Sequence, residues 1–299
     1  MAADASTPSG RELDTEPRHN PGGQRSVVLL SIAAAGLWAF VTLGLDPRDL
    51  VPGAGGLTVA RELFGHALAP AWTYESPDLP PGIRPLPIQA LAAAWHTVTL
   101  AAAATGLSVA VGLLLACAAS TAPWSEDPWA HRRASGWIRA LVFGCVRLLI
   151  AGMRSVHELL WAVLLLAAVG LEPLSAVVAI AIPHGGILAK IFAEILDEAP
   201  RDAALALHAA GASPSRVFLF GLLPRALPDM CAYAAYRFEC ALRSSAVLGF
   251  FGFPTLGFFI AASFENLYYG ELWTYLYTLC ALVALADAWS GALRRRLVG

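Results

Sequence analysis

The sequence predicts an all-α, polytopic membrane protein with about six transmembrane helices, and three observations carry that reading. Hydrophobic residues make up 57% of the 299 residues and charged ones only 14%, whereas roughly a quarter of a soluble domain is charged. Apolar runs long enough to cross a hydrocarbon core of about 30 Å recur along the chain. Arginines gather in alternate connections, the pattern of the positive-inside rule. The formal net charge of −2 decides nothing, because only the distribution of charge orients a membrane chain, and nucleic acid is not an expected partner.

Taken in order, residues 1–25 are polar and aperiodic, with Arg11, Arg18 and Arg25, and read as a disordered cytoplasmic tail. Residues 26–91 form a second region, a first transmembrane helix followed by an extracytoplasmic segment. Its apolar run at 27–45 is too long for the core of a signal peptide and reads as an uncleaved span. The segment 46–89 is polar and proline-rich, with Leu57, Ala60, Leu63, Phe64, Ala67 and Leu68 at helical spacing. It reads as a surface helix flanked by the interfacial aromatics Trp72 and Tyr74.

The third region, 92–299, is the membrane core. Its second span, 92–120, carries Gly106, Ser108 and Gly112, small residues that let neighbouring helices approach. A loop with Arg132, Arg133 and Arg139 follows, then a helix over 136–153 with snorkelling arginines. The third span is expected at 155–171, the fourth at 175–195, the fifth at 226–251 and the sixth at 272–293. The sixth ends in Arg294, Arg295 and Arg296, while the turns at Glu172 and Glu265 have no basic residue. This distribution places both termini in the cytoplasm.

Between the fourth and fifth spans lies a mostly polar island, 198–228. It reads as a short helix ended by a glycine turn, then a basic segment with Arg216 and Arg225, then Pro224 and Pro228 at the foot of the next helix. The five cysteines show no CxxC spacing and suggest neither a disulfide framework nor a zinc site. No GxxxxGK[ST] occurs, so any ATP used would be bound by another polypeptide. No cofactor is expected.

Three ionisable residues, Arg237, Glu239 and Arg243, fall deep within the fifth span. Facing lipid, they would together cost on the order of 8 to 10 kcal/mol, so they must face protein or water. Glu239 and Arg243 are four apart and can pair, whereas Arg237 lies about 160° round the helix from Glu239 and needs another partner. Asp287 or Glu194 could supply one. These residues are either a buried charge network that fixes packing or, with Ser244 and Ser245, the lining of an anion path. Lys190 and Glu194 read as an i, i+4 pair at the membrane boundary. His96, His157 and His184 sit on different spans and read as packing residues.

Several stretches in series, HELLWAVLLLAAVGLEPLSAV at 157–177, GGILAKIFAEILDE at 185–198, GASPSRVFLFGLLPRALP at 211–228, YRFECALRSSAVLGFFG at 236–252 and DAWSGALRRRL at 287–297, resemble the permease subunit of phosphonate-type ABC importers. The resemblance covers about half the chain. It implies a type I ABC importer permease fold and transport of phosphonate or a related small oxyanion, with no bond made or broken. It also implies an ABC ATPase subunit, a second permease copy or homologous permease, and an extracytoplasmic solute-binding protein as partners. By the same resemblance 198–225 is the cytoplasmic coupling loop, with Leu205, Ala209, Gly211, Ala212, Ser213 and Pro224 at its ATPase-coupling positions. Leu205 stands where the family usually has Glu, and His157 where it commonly has proline. The aromatic segment 250–259 replaces a small, glycine-rich one.

Two other function classes compete. A membrane-embedded enzyme acting on a lipid phosphate would hold phosphate with the buried arginines and metal with Asp197 or Asp202, but the paired acidic motif of that chemistry is missing. An ion-coupled carrier would show an internal repeat, and none is visible.

Overall fold

The computed structural model describes residues 21–44, 53–77, 82–121 and 136–297. Residues 1–20 of the tail expected over 1–25, and most of the arginine-bearing loop after the second span, lie outside the described residues. The described residues are almost entirely helical and contain no strand. Two compact units are distinguished, Met1–Arg61 and Glu62–Gly299. The first contains helix α1, Pro21–Thr42, whose apolar stretch Arg25–Thr42 is long enough to cross a membrane and is nowhere buried within the protein.

In the second unit, the later part of α2 (Ala54–Gly65) and a 3₁₀ turn at His66–Leu68 lead to α3, Leu86–Ala119. Then come α4 (Gly136–Ser155), α5 (Glu158–Val169) and α6 (Pro173–Glu198). A short helix α7, Asp202–Ala209, precedes a continuous helical path over Pro214–Phe251, of which Leu223–Val247 is the regular part, α8. Two more helices, α9 (Leu256–Glu265) and α10 (Tyr269–Leu297), complete the unit. Among the described residues, five helices are long and apolar enough to span a membrane, and a sixth span exists if the bent pair α4–α5 counts as one.

That bend is where the expected third span differs. Ser155 Oγ turns back to Gly152 O at 2.8 Å and ends α4. His157 then adopts extended backbone as the N-cap of α5, its Nδ1 accepting from Leu159 N at 3.3 Å. The two helices meet at 90°. At 12 residues, α5 is only about 18 Å long, too short to cross alone, so the expected third span is met only as part of this bent pair.

The closest packing is between α3 and α6, and small residues permit it. A Cβ on Gly112 would lie 2.7 Å from Leu188 Cβ, and Ser108 is fully buried, donating to Ala104 O at 2.7 Å. Gly106, expected to serve the same purpose, faces open space instead. Beyond α8, the backbones of 246–249 and 255–258 touch directly: a Cβ on Gly257 would fall on Ala246 O, and one on Gly249 on Phe258 N. The aromatic stretch after the fifth span is therefore folded back on that helix as α9. Among the small residues of α3, α6 and α8, tight backbone approach supplies the dispersion contacts that drive helix association in lipid.

Candidate functional sites

At one end of the bundle, α7 forms an exposed projection. Its C-terminus closes in a Schellman motif: Ala212 N donates to Leu207 O at 3.0 Å and Gly211 N to His208 O at 2.9 Å. Gly211 takes φ +82°, left-handed backbone that glycine adopts without a Cβ penalty. Ala204 is buried and seats α7 on the following segment, where a Cβ on Gly221 would come within 2.9 Å of Ala204 Cα. Leu205, Ala209, Gly211 and Ser213 are exposed and Ala212 is half-buried. Pro224 lies exposed at the start of α8.

The segment that seats α7, Val217–Leu222, is a π-helical turn, and Leu223 N reaches Phe218 O, five residues back. Its sequence cause is Pro224, whose ring would clash with the carbonyl four residues earlier in a regular helix and which donates no hydrogen bond. Widening the turn relieves that clash. The projection thus rests on a non-standard turn at the root of the long helix that carries the buried charges.

Halfway along the bundle, α5, α6 and α8 enclose a cleft of about 470 Å³ lined by His157, Glu158, His184, Arg237, Arg243 and Ser244 among others. Counting 1.5 Å per residue, His184 lies about 17 Å and Arg237 about 21 Å from the end opposite α7, near the middle of a hydrocarbon slab. Arg243 Nη1 sits 3.0 Å from Glu239 Oε1; the arginine side chain is 52% exposed, the carboxylate only 9%. Arg243 Nη2 also approaches Cys240 Sγ at 3.7 Å. Arg237 differs: its Nε is buried and has no hydrogen-bond partner among the described residues.

Neither acid considered for Arg237 reaches it. Glu194 is 3.5 Å from Lys190, as its spacing suggested, and Asp287 is exposed on α10. Ser244 turns into the cleft and donates to Glu158 Oε1 at 2.8 Å, but Ser245 does not. Ser245 is fully buried and donates to Thr97 O at 3.1 Å and Leu242 O at 2.9 Å. Thr97 in turn accepts from Leu256 N at 3.1 Å, so Ser245 belongs to a hydrogen-bonded junction of α3, α8 and α9.

Three cleft residues were read from the sequence only as packing groups, or not singled out at all. His157 and His184 come together here although they belong to different helices, and His184 is buried. Glu158 had no assigned role. The available signal was an acid at the first position of an apolar helix, which reads equally well as helix-dipole compensation. His96 lies elsewhere, exposed on α3. Asp197 is engaged by Ser120 Oγ at 2.7 Å and Thr121 N at 2.8 Å, which ties the end of α6 to that of α3.

The end opposite α7 is held by polar contacts between the segment 63–75 and α10. Trp273 Nε1 donates to Leu63 O and Thr274 Oγ1 to Ala71 O, both at 2.6 Å. Glu75 N donates to Glu271 Oε1 at 2.6 Å, while Gly270 N donates to Glu75 Oε1 at 3.1 Å. Trp72 is exposed, as an interfacial aromatic should be. Tyr74 packs inward beside Glu271 and Tyr275, where burial raises its phenol above the ordinary value.

A helical membrane bundle with a projecting short helix at one end and a charged cleft at mid-depth has the outline of a transport component. Residues 128–299 match the family described as binding-protein-dependent transport system inner membrane component, and the chain belongs to that family. It is similar to the phosphite transport system permease protein PtxC of Stutzerimonas stutzeri, 34% identical over 275 residues that cover 90% of this chain and 85% of the relative. The phosphate-import permease protein PhnE of Mycolicibacterium smegmatis is 26% identical over 232 residues, 76% of this chain and 41% of that one. The fold is similar to a chain of the inward-facing MetNI methionine ABC transporter, with a TM-score of 0.56 and 20% identity over 69% of this chain and 95% of that one. The resemblance to phosphonate-type ABC importer permeases is thereby borne out, and the chain is a multi-pass permease component of an ABC importer.

Proposed function

We propose that this chain passes phosphonate, phosphite or a similar small oxyanion across the inner membrane through the cleft between α5, α6 and α8, and that an ABC ATPase gripping α7 drives the passage. The observation that carries the reading is Arg237: a buried guanidinium nitrogen without a partner, at mid-membrane depth, in a cleft that also holds Arg243 and Ser244. A cation there costs about 2.5–3.5 kcal/mol if it meets lipid, and an anion passing through is a partner that offsets the cost only transiently. A resting site of that kind binds weakly enough to release. The similarity to permeases named for phosphite and phosphate import supports the class of solute.

The same reasoning supports the partners. Arg243 is 52% exposed on a lone chain, so a second permease copy or a homologous permease must cover the mouth of the cleft. The exposed face of α7 is offered to the ATPase, placing Gly211 and both termini in the cytoplasm. A solute-binding protein then delivers to the opposite end, where 63–75 meets α10. Rocking of the subunits about the cleft alternates access, and the chain makes or breaks no bond. A lipid-phosphate enzyme finds no support among the relatives, which are transport permeases.

Arg237→Gln tests the reading. Reconstituted with its ATPase and binding protein, the variant should still insert and assemble, while oxyanion uptake falls at least tenfold. Uptake at the wild-type rate would remove the cleft from the path.

A further inference from the structure

One group in the cleft is of the wrong sign for an anion path. Glu158 opens α5, its side chain 21% exposed, and it lines the same cavity as Arg237 and Arg243. It is not neutralised as Glu239 is: its Oε1 accepts from Ser244 Oγ at 2.8 Å, and its Oε2 lies 3.7 Å from Nε2 of the exposed His157. An ionised carboxylate only accepts hydrogen bonds. A ligand oxygen that meets it must therefore carry a proton, while the oxygens facing the arginines must not.

We infer that Glu158 is a specificity-determining residue that admits oxyanions bearing an ionisable P–OH proton and turns away those fully deprotonated. The inference rests on the cleft being the transport path. A monoprotonated phosphite, phosphonate or phosphate satisfies both halves of the lining, with its O–H donated to Glu158 and its bare oxygens accepting from Arg237 and Arg243, while the one hydroxyl proton of Ser244 stays donated to Glu158. Sulfate, which has no proton at neutral pH, places a bare oxygen against the carboxylate, and like-charge repulsion in a low-dielectric cleft excludes it. Donor and acceptor placement discriminates more sharply than shape, because a mismatched buried polar group is left without a partner. Ser244 holds the carboxylate in this orientation and so positions it.

The test compares uptake of phosphite by the complete transporter in proteoliposomes, wild type against Glu158→Gln, from below to above the pH at which phosphite loses its second proton. The same binding protein is used throughout, so its own pH dependence cancels in the ratio. Gln keeps an oxygen for Ser244 but adds an N–H that accepts no proton and can donate to a bare ligand oxygen. The other charged or titratable groups facing Glu158 from α5, α6 and α8 are His157, His184, Arg237, Glu239, Cys240 and Arg243. The ratio is therefore repeated in His157→Asn, where an amide still caps α5, and in His184→Gln.

The variant-to-wild-type ratio should rise with pH, approaching about tenfold per pH unit above that ionisation, and sulfate should begin to compete with phosphite. A ratio flat across pH, in a variant that still transports, overturns the inference; so does unchanged exclusion of sulfate. If Glu158→Gln fails to assemble, the pair Glu158→Ala with Ser244→Ala removes both partners of the hydrogen bond and leaves no orphan, and the same rising ratio is expected. Should Arg237→Gln transport normally, the path itself is wrong. If Arg237→Gln is inactive and the Glu158 ratio is flat, only the proton-reading role fails.

Discussion

Adjacent serines on α8 have opposite fates, and the difference is testable one hydroxyl at a time. Ser245 is fully buried and donates to Thr97 O and Leu242 O, so Ser245→Ala should cost about 0.5–1.5 kcal/mol of stability. The assembled protein should nevertheless transport at close to the wild-type rate, measured as uptake per assembled complex beside a thermal shift. Loss of uptake without loss of stability would place Ser245 in the path after all. From the sequence the two serines were indistinguishable, since both closely follow Arg243 and the rotation of the helix was unknown. Arg237 and the Glu239–Arg243 pair were legible, because charges within an apolar span have few places to go. Glu158 was not, because its meaning depends on what α8 brings opposite it.

At the scale of elements, α7 and its glycine stop were legible because a Schellman motif is local: a short helix, then glycine. Gly211→Val forces a β-branched residue into left-handed backbone and should cost about 1–2 kcal/mol locally. Insertion and ATPase assembly should survive, while ATP hydrolysis is no longer accelerated by the loaded binding protein and uptake falls. Coupled hydrolysis at the wild-type level in that variant would count against α7 as the ATPase contact. The π turn beneath α7 and the 90° break between α4 and α5 were not legible. The first arises because the helical path already runs from Pro214, so that Pro224 meets a carbonyl four residues back, whereas the fifth span was expected only from 226. For the second, a helix over 136–153 and a span over 155–171 were expected in series, but hydropathy gives neither the angle between them nor the extended cap at His157. Likewise Gly112 and Gly106 look alike in sequence, yet only Gly112 meets a neighbouring helix.

Across the whole molecule, the cleft proposed as the path and the α7 proposed as the ATPase contact sit on one continuous piece of structure. The helical path Pro214–Phe251 begins against α7 and carries Arg237, Arg243 and Ser244, so under the proposed function a push on α7 would reach the cleft along one helix, by way of the π turn at its root. The alternative is that the mid-membrane charges only fix helix packing. Changing one partner of the Glu239–Arg243 pair confounds the two, because the stranded charge costs about 3–5 kcal/mol by itself. The decisive measurement is oxyanion uptake by the reconstituted transporter carrying Glu239→Gln together with Arg243→Gln, with assembly and thermal stability recorded on the same preparation. The pathway account predicts a stable, assembled complex whose uptake is abolished; a stable complex with uptake restored to the wild-type level would contradict it.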